Sequence, residues 1–163
     1  MQRQPKGFSL IEVVIAIAVV AGGLTVMLAL LPSLLRNSQD AADTHTALRL
    51  PDAVHAALKE EMRGNFATFA GGIQSAGLDL VADKDGTHVR RVDAVDNPVR
   101  SRYFLIAVRG FESGELAYSA GDAVLVMHVT VSWPYQALSG TALLPVIDEA
   151  DRQSITFNLA LNP

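Results

Sequence analysis

The chain has 163 residues, no cysteine, 13 Lys and Arg against 17 Asp and Glu, and a formal net charge of −4. This length suits one ordinary domain, the lack of thiols excludes a disulfide framework and cysteine-based zinc sites, and the acidic balance means that no nucleic-acid partner is expected. Hydrophobic residues make up 50% of the chain and its mean hydropathy is +0.26, which excludes intrinsic disorder.

Much of this hydrophobicity lies in one run near the N-terminus. The 23 residues from Val13 to Leu35 carry no charge, and only Thr25 and Ser33 among them are polar. About 20 helical residues cross a hydrocarbon core of roughly 30 Å, whereas the apolar core of a signal peptide has only about 7–15 residues. The run therefore predicts a membrane helix, with a buried core helix as the alternative.

The charges that flank this run predict its orientation. Arg3 and Lys6 precede it, whereas Arg36 follows it and is joined by Asp40 and Asp43. Lys and Arg near a span tend to stay on the cytoplasmic side. We expect a single pass through the inner membrane with a cytoplasmic N-terminus, and in a bacterium the remainder would lie in the periplasm.

Glu12 is a carboxylate inside the apolar stretch, which effectively begins at Phe8. An acidic residue costs on the order of 3 kcal/mol at the centre of a span and less near its end. One interpretation is that Glu12 simply reaches the headgroups. The other is that it pairs with a positive group, and cleavage after Gly7 would supply one as a new α-amino group on Phe8.

The segment KGFSLIE, residues 6–12, together with the apolar run after it, resembles the N-terminal signal of type IV pilins and type II secretion pseudopilins. The resemblance implies that a prepilin peptidase cuts after Gly7 and N-methylates Phe8. It also implies that Glu12 pairs with the amino terminus of a neighbouring pilin or pseudopilin subunit. Cleavage would remove Arg3 and Lys6 and change the formal net charge from −4 to about −6.

Three residues of the apolar run are candidates for a helix bend. Gly22 and Gly23 weaken a helix, and Pro32 removes one of its hydrogen bonds. Members of the pilin family often have a proline in this half of the helix, which the resemblance extends to Pro32. The alternative is that Gly and Pro are simply commoner in membrane helices.

The chain from Asn37 to Met62 is predicted to continue as a helix. Its apolar residues recur at spacings of three and four, which is typical of a helix lying on a sheet; they are Ala47, Leu50, Val54, Leu58 and Met62. Pro51 predicts a kink or a restart in this helix. Gly64 and then Gly71-Gly72 are expected to end the helical region, and residues 66–77 are predicted to form a loop.

The second half is strand-like, with predicted strands at Thr87–Val92, Tyr103–Val108, Ala123–Trp133 and Ile155–Leu161 and a hairpin loop at Gly110–Gly121. The fold class is therefore α+β: a long N-terminal helix, membrane-spanning in its first half, packed on an antiparallel sheet of about four strands. The pilin resemblance implies the same layout. The predicted organisation is a leader (1–7), a transmembrane or filament-core helix (8–36), an amphipathic periplasmic helix (37–63) and a sheet domain (64–163).

Neither metal binding nor catalysis has a convincing motif. The four histidines lack a paired metal spacing. Asp83 and Asp85 lie in a DKDG segment that opens like a calcium loop, but the twelfth position is Ala94 instead of Glu, so a plain turn is favoured. Arg90, Arg91, Arg100 and Arg102 are interpreted as sheet-edge or surface charges. No cofactor and no enzymatic activity are expected.

The strand segments VTVSWP and SITFNLAL resemble PilV-type minor pilins and prepilin-like proteins of verrucomicrobial cassettes. The lack of cysteine departs from major pilins that close a C-terminal loop with a disulfide. We therefore expect a prepilin-type subunit that is assembled into a type IV pilus or a type II pseudopilus as a minor component.

One alternative is a permanently anchored binding or adhesive domain. Another is a membrane-tethered enzyme with a pocket among Asp79, Asp83, Asp85, His88 and His128.

Overall fold

The computed structural model describes residues 9–95 and 99–163. The chain divides into two compact units, Met1–Ala42 and Asp43–Pro163. Helix α1, Leu10–Glu61, contributes residues to both of them. Within the described residues, the first unit consists of the start of this helix and the serine before it.

The second unit combines the end of α1 with a short helix and a sheet. The elements after α1 are α2 Phe66–Ser75, β1 Leu78–Ala82, β2 Arg90–Arg91, β3 Phe104–Gly110, β4 Leu125–Trp133, β5 Leu138–Ser139, β6 Ala142–Leu143, a 3-10 turn Glu149–Asp151, and β7 Gln153–Leu161. Five strands form one antiparallel sheet in the order β2-β1-β3-β4-β7, while β5 and β6 form a separate hairpin. The predicted α+β class is confirmed.

The core of this unit lies between the apolar stripe of α1 and one face of the sheet. Ala47, Leu50, Val54 and Leu58 are at most 1% exposed. The alternation predicted in β4 is confirmed, because its inward residues are buried, namely Leu125, Met127, Val129, Val131 and Trp133. Each large apolar side chain buried in this way contributes about 1.5–3 kcal/mol, so the stripe and the strand together hold helix and sheet in contact.

The sheet has five strands and not about four, because strand β1 was missed and the predicted strand Thr87–Val92 contains only the two-residue strand Arg90–Arg91. Strand β1 shows little polar alternation because both of its faces are partly covered. Leu80 belongs to the helix-facing core, whereas Val81 on the other face is also fully buried. A strand covered on both sides gives no period-two signal.

The loop predicted at residues 66–77 is wrong, because α2 occupies most of it. The Asn65 side chain accepts a hydrogen bond from the Thr68 backbone N–H at 3.1 Å and caps the helix. Ala70 and Ile73 are buried on its inner face, which offsets a cost of roughly 1 kcal/mol for each of the two internal glycines. The helix ends instead before Gly77, whose φ of +69° suits a residue without a Cβ.

Helix α1 is assigned as one continuous α-helix, so the restart predicted at Pro51 does not occur. The buried residues Leu50 and Val54 pack on the sheet on either side of the proline. This packing offsets the roughly 3 kcal/mol that an interior proline costs. The helix likewise continues through Gly22, Gly23 and Pro32, and a bend at those residues stays a prediction for the assembled state.

A polar cluster joins α1 to the start of β3 inside the second unit. Asp43 is the one charged or polar residue classed as buried among the described residues, at 7% exposure. The Tyr103 hydroxyl donates to Asp43 Oδ2 at 2.5 Å. Lys84 Nζ lies 4.0 Å from Asp43 Oδ1 and 4.9 Å from the centre of the Tyr103 ring. The buried carboxylate therefore has both a donor and a nearby cation.

Replacing Tyr103 with Phe is expected to lower the free energy of unfolding by about 1–3 kcal/mol, because the Asp43 carboxylate would stay buried without its donor. Urea unfolding of the full chain in detergent measures the change. A double-mutant cycle with Asp43→Asn should show that the two losses are not additive. Tyr135→Phe is the matched control and is expected to change stability by less than about 0.5 kcal/mol. Equal effects of the two tyrosine variants would contradict the role given to the cluster.

Candidate functional site

The first turn of α1 is closed by two reciprocal hydrogen bonds. The Glu12 backbone N–H donates to Ser9 Oγ at 3.3 Å, and the Ser9 backbone N–H donates to Glu12 Oε2 at 3.4 Å. This S-x-x-E arrangement is a capping box, in which serine and glutamate satisfy N–H groups that have no partner within the helix. Glu12, the predicted assembly residue, is thus tied to the N-cap of its own helix.

Both capping bonds are long compared with the usual 2.9–3.0 Å, and both residues are exposed. The carboxylate is also favoured by the partial positive charge at a helix N-terminus. An ammonium group would bring a full positive charge to the Glu12 carboxylate, so that both partners of the bond would be ionised, whereas in the capping bond only the acceptor is. The geometry therefore holds Glu12 in a contact that a cation could replace.

From Leu10 to Leu35, α1 presents an apolar surface on all sides. Sixteen large apolar side chains between Leu10 and Leu35 are 46–86% exposed. At 1.5 Å per residue these 26 residues extend about 39 Å, more than the roughly 30 Å of a hydrocarbon core. Among the described residues α1 is the one helix long and apolar enough to cross a membrane. An apolar surface of this size is stable when lipid or neighbouring helices cover it.

The two polar residues of this stretch make their hydrogen bonds within the helix. The Thr25 hydroxyl donates to the Ala21 carbonyl and the Ser33 hydroxyl to the Leu30 carbonyl, each at 2.8 Å. A hydroxyl that bonds its own helix needs no water. These residues are therefore compatible with an apolar environment.

The predicted processing residues Gly7 and Phe8 lie outside the described residues. Sequence reasoning identified Glu12 but missed Ser9 as its partner. The signal was available, because a serine three residues before a glutamate at the start of an apolar run is the pattern of a capping box.

The Asp83 carboxylate, one of the two calcium candidates, is surrounded by nitrogen atoms of two arginines and one histidine. Its oxygens lie 3.0 Å from Arg90 Nη1, 3.2 Å from His88 Nδ1 and 3.6 Å from Arg100 Nη1. The Arg90 side chain is only 14% exposed and also donates to the Ser101 carbonyl at 3.1 Å. Arg90 is therefore not a plain surface charge, since it ties the β1–β2 turn to the segment before β3.

Arg102 has a comparable structural role. Its guanidinium donates to the carbonyls of Val92 at 2.8 Å and Ala94 at 3.1 Å. The side chain is partly buried, so its interpretation as an edge or surface charge is incomplete. The exposed Arg91 fits that interpretation better, and the pKa of Arg91 is raised by its hydrogen bond to Asp93.

Asp85, the other calcium candidate, belongs to a tight turn. The Thr87 hydroxyl and backbone N–H donate to Asp85 Oδ1 at 2.7 and 3.1 Å, and these bonds hold the pKa of Asp85 below its usual range. Gly86 has a φ of +77°, and a Cβ there would meet Thr46 Cγ2 at 2.9 Å, so the turn requires glycine. Among the described residues, no three His, Asp or Glu side chains are arranged to hold a metal ion.

The structure does not gather the five residues proposed for an enzyme pocket. Asp79 pairs with Arg109 at 2.6 Å, and His128 contacts Asn158 at 3.3 Å, both on the sheet. Asp83, Asp85 and His88 lie in the β1–β2 turn instead. A groove of ≈ 400 Å³ on the sheet includes Asp79 in its lining and none of the other four.

A capped, acid-bearing apolar helix ahead of an α+β sheet domain is the layout of a pilin-like protein, and the helix fits membrane anchoring. The family described as the prokaryotic N-terminal methylation motif matches residues 2–30. This match supports a type IV prepilin-like protein, the precursor form of a pilin or pseudopilin. Searches of curated proteins and of solved structures gave no significant match. The motif implies processing by a prepilin peptidase and assembly with other pilins.

Proposed function

We propose that this prepilin is cleaved after Gly7, N-methylated on Phe8 and assembled as a minor subunit of a type IV pilus or type II secretion pseudopilus. One observation supports the proposal above the others. The methylation motif over residues 2–30 coincides with Glu12 in a capped first turn and with an apolar helix surface that is exposed throughout. A permanent anchor needs the apolar surface, but neither the cleavage signal nor the acid.

The apolar surface of α1 has two suitable environments. In the inner membrane, with the N-terminus cytoplasmic, lipid tails cover it; in a filament, the helices of neighbouring subunits would do so. The leader carries Arg3 and Lys6, and a charge inside the membrane costs about 2.5–3.5 kcal/mol. If the helix left the bilayer toward the periplasm, both charges would have to cross the hydrocarbon core. Cleavage removes both charges and so lowers the cost of withdrawing the helix from the bilayer.

Glu12 acts in this scheme as a selector for correct docking. A carboxylate buried without a partner among apolar helices is destabilising by several kcal/mol. The α-amino group of a neighbouring subunit, placed at the same depth, would replace the weak bond from the Ser9 N–H. Only subunits in the correct axial register would make this pair.

The minor role rests on the sequence. The chain has no cysteine with which to close the C-terminal loop found in many major pilins. We infer that the protein acts by assembly and not by turnover, with the sheet domain facing outward from the filament.

Sheared filaments test this proposal. The cleaved chain should be present in the filament fraction at a small proportion of the major subunit, and it should be absent when the prepilin peptidase gene is deleted. An unrelated single-pass membrane protein of similar size serves as the contamination control. A chain that stays in the membrane fraction while filaments assemble normally would favour a permanent anchor.

A further inference from the structure

The two edges of the five-stranded sheet are built differently. At one edge, β2 is only two residues long and both residues are arginine. At the other edge, β7 has nine residues, QSITFNLAL, with no charge, proline or glycine. Native sheets usually protect an edge with short strands, charges, prolines or bulges. The β2 edge has such protection, whereas β7 has none of it.

Strand β7 also pairs with β4 without a bulge. All nine of its residues pair with β4 in one uninterrupted register, from Gln153 opposite Trp133 to Leu161 opposite Leu125. In an antiparallel ladder the backbone N–H and C=O groups of alternate residues point to opposite sides. About half of the β7 backbone groups therefore face away from β4, in the arrangement that an added strand requires.

The apolar side chains of β7 that pack on the core are partly exposed to solvent at this edge. Ile155, Phe157 and Leu159 pack against the core but are only half-buried. Their cross-strand neighbours in β4 are completely buried, namely Val131, Val129 and Met127. The row on the opposite face is exposed and, apart from Ala160, polar; its polar members are Ser154, Thr156 and Asn158. An added strand would cover the apolar row if its own residues alternated in the same way.

We propose that the free edge of β7 binds an extended, uncharged segment of another polypeptide, whose alternating apolar and polar residues add a sixth strand to the sheet. The lack of charge along β7 favours an uncharged segment, and the half-buried row favours apolar residues at every second position. Backbone hydrogen bonds would provide affinity, and the side-chain alternation would set the register. The proposal does not depend on whether the chain enters a filament.

A second copy of the chain does not suit this edge. Antiparallel pairing of two β7 strands requires a two-fold axis normal to the sheet, which reverses the direction of the helix packed on it. The Asp43 ends of the two helices, where each chain enters this unit, would then point in opposite directions. Parallel pairing of the two free edges would turn one sheet over and place apolar residues beside polar ones. The occupant is therefore a segment of a different protein.

Amide hydrogen exchange of the full chain in detergent micelles tests the proposal. The probe is a capped nine-residue peptide with the β4 sequence LVMHVTVSW, whose alternation already matches that of β7. It should slow exchange in residues 153–161 saturably, by about tenfold for the outward-facing amides, while β3 stays unchanged. A scrambled peptide with its apolar residues contiguous should have no effect. Equal protection by both peptides, or by neither, would overturn the proposal.

Edge variants test whether the peptide binds at the free edge of β7. Thr156→Lys with Asn158→Lys adds two charges at exposed positions of β7, whereas Ser139→Lys with Thr141→Lys adds the same charge on the separate hairpin, also at exposed positions. The β7 pair should weaken peptide binding about tenfold or more with unchanged thermal unfolding, and the hairpin pair should not. Equal binding by both variants would overturn the proposal. So would concentration-dependent protection of β7 without peptide, because that result would make a second copy the occupant.

Discussion

Glu12→Ala is expected to leave cleavage after Gly7 intact while removing the chain from filaments. Loss of one partner of a buried ion pair costs about 3–5 kcal/mol, which corresponds to a loss of roughly a hundredfold or more in incorporation. The reason is that the α-amino group of the neighbouring subunit would remain buried without its carboxylate. Quantitative immunoblotting of sheared filaments against the membrane pool measures the ratio directly.

Two matched variants separate the charge of Glu12 from its role in the capping box. Glu12→Gln removes the charge but keeps a side chain that can accept the Ser9 N–H, and it should fail to assemble almost as completely as the alanine variant. Ser9→Ala removes the serine half of the capping box and keeps the charge, and it should assemble far better than either. Normal incorporation of Glu12→Gln would show that capping, and not charge pairing, is what Glu12 contributes.

Phe104→Ala is expected to destabilise the second unit by about 3–5 kcal/mol, the range for large aromatic truncations in a core. Phe104 is fully buried, and its ring lies 5.1 Å from that of Tyr103 and 5.8 Å from that of Trp133. The substitution would leave a cavity and remove two aromatic contacts, each worth about 0.5–1.5 kcal/mol beyond area burial. Urea unfolding of the full chain in detergent, followed by Trp133 fluorescence, measures the loss.

Two further variants set the scale for that measurement. Phe104→Leu should cost much less than the alanine variant, because it keeps most of the buried volume. Leu144→Ala, at a residue that is 44% exposed, should change stability by less than about 0.5 kcal/mol. A Phe104→Ala loss no larger than that of Leu144→Ala would contradict the placement of Phe104 in the core.

The features that sequence predicted correctly are those with a strong and uniform local signal. The apolar run to Leu35 needs no tertiary information, and neither does the alternation of β4, because every second residue there faces one buried surface. Glu12 was identified because a charge among apolar residues is conspicuous. The helical stripe around Leu50 and Val54 was predicted because apolar residues recur there at spacings of three and four.

The features that were missed depend on tertiary context. Helix α2 contains Gly71 and Gly72, which act as breakers in isolation, and it is stabilised by burial of Ala70 and Ile73 against the rest of the unit. The spacing of its apolar residues was present in the sequence, but the glycines outweighed it in the prediction. Strand β1 was hidden because Val81 is buried on the face away from the helix. The roles of Arg90 and Arg102 could not be predicted, since they depend on carbonyl groups that only the fold brings near.

In the proposed function, the first seven residues are a leader and Phe8 becomes the methylated N-terminus of a filament subunit. Intact-mass analysis of the membrane-extracted chain, from cells with and without active prepilin peptidase, tests it most directly. With the peptidase, the mass should fall by that of residues 1–7 and rise by one methyl group; without it, the full-length mass should remain. A full-length, unmethylated chain in the presence of active peptidase would show that residues 1–7 are not a cleaved leader.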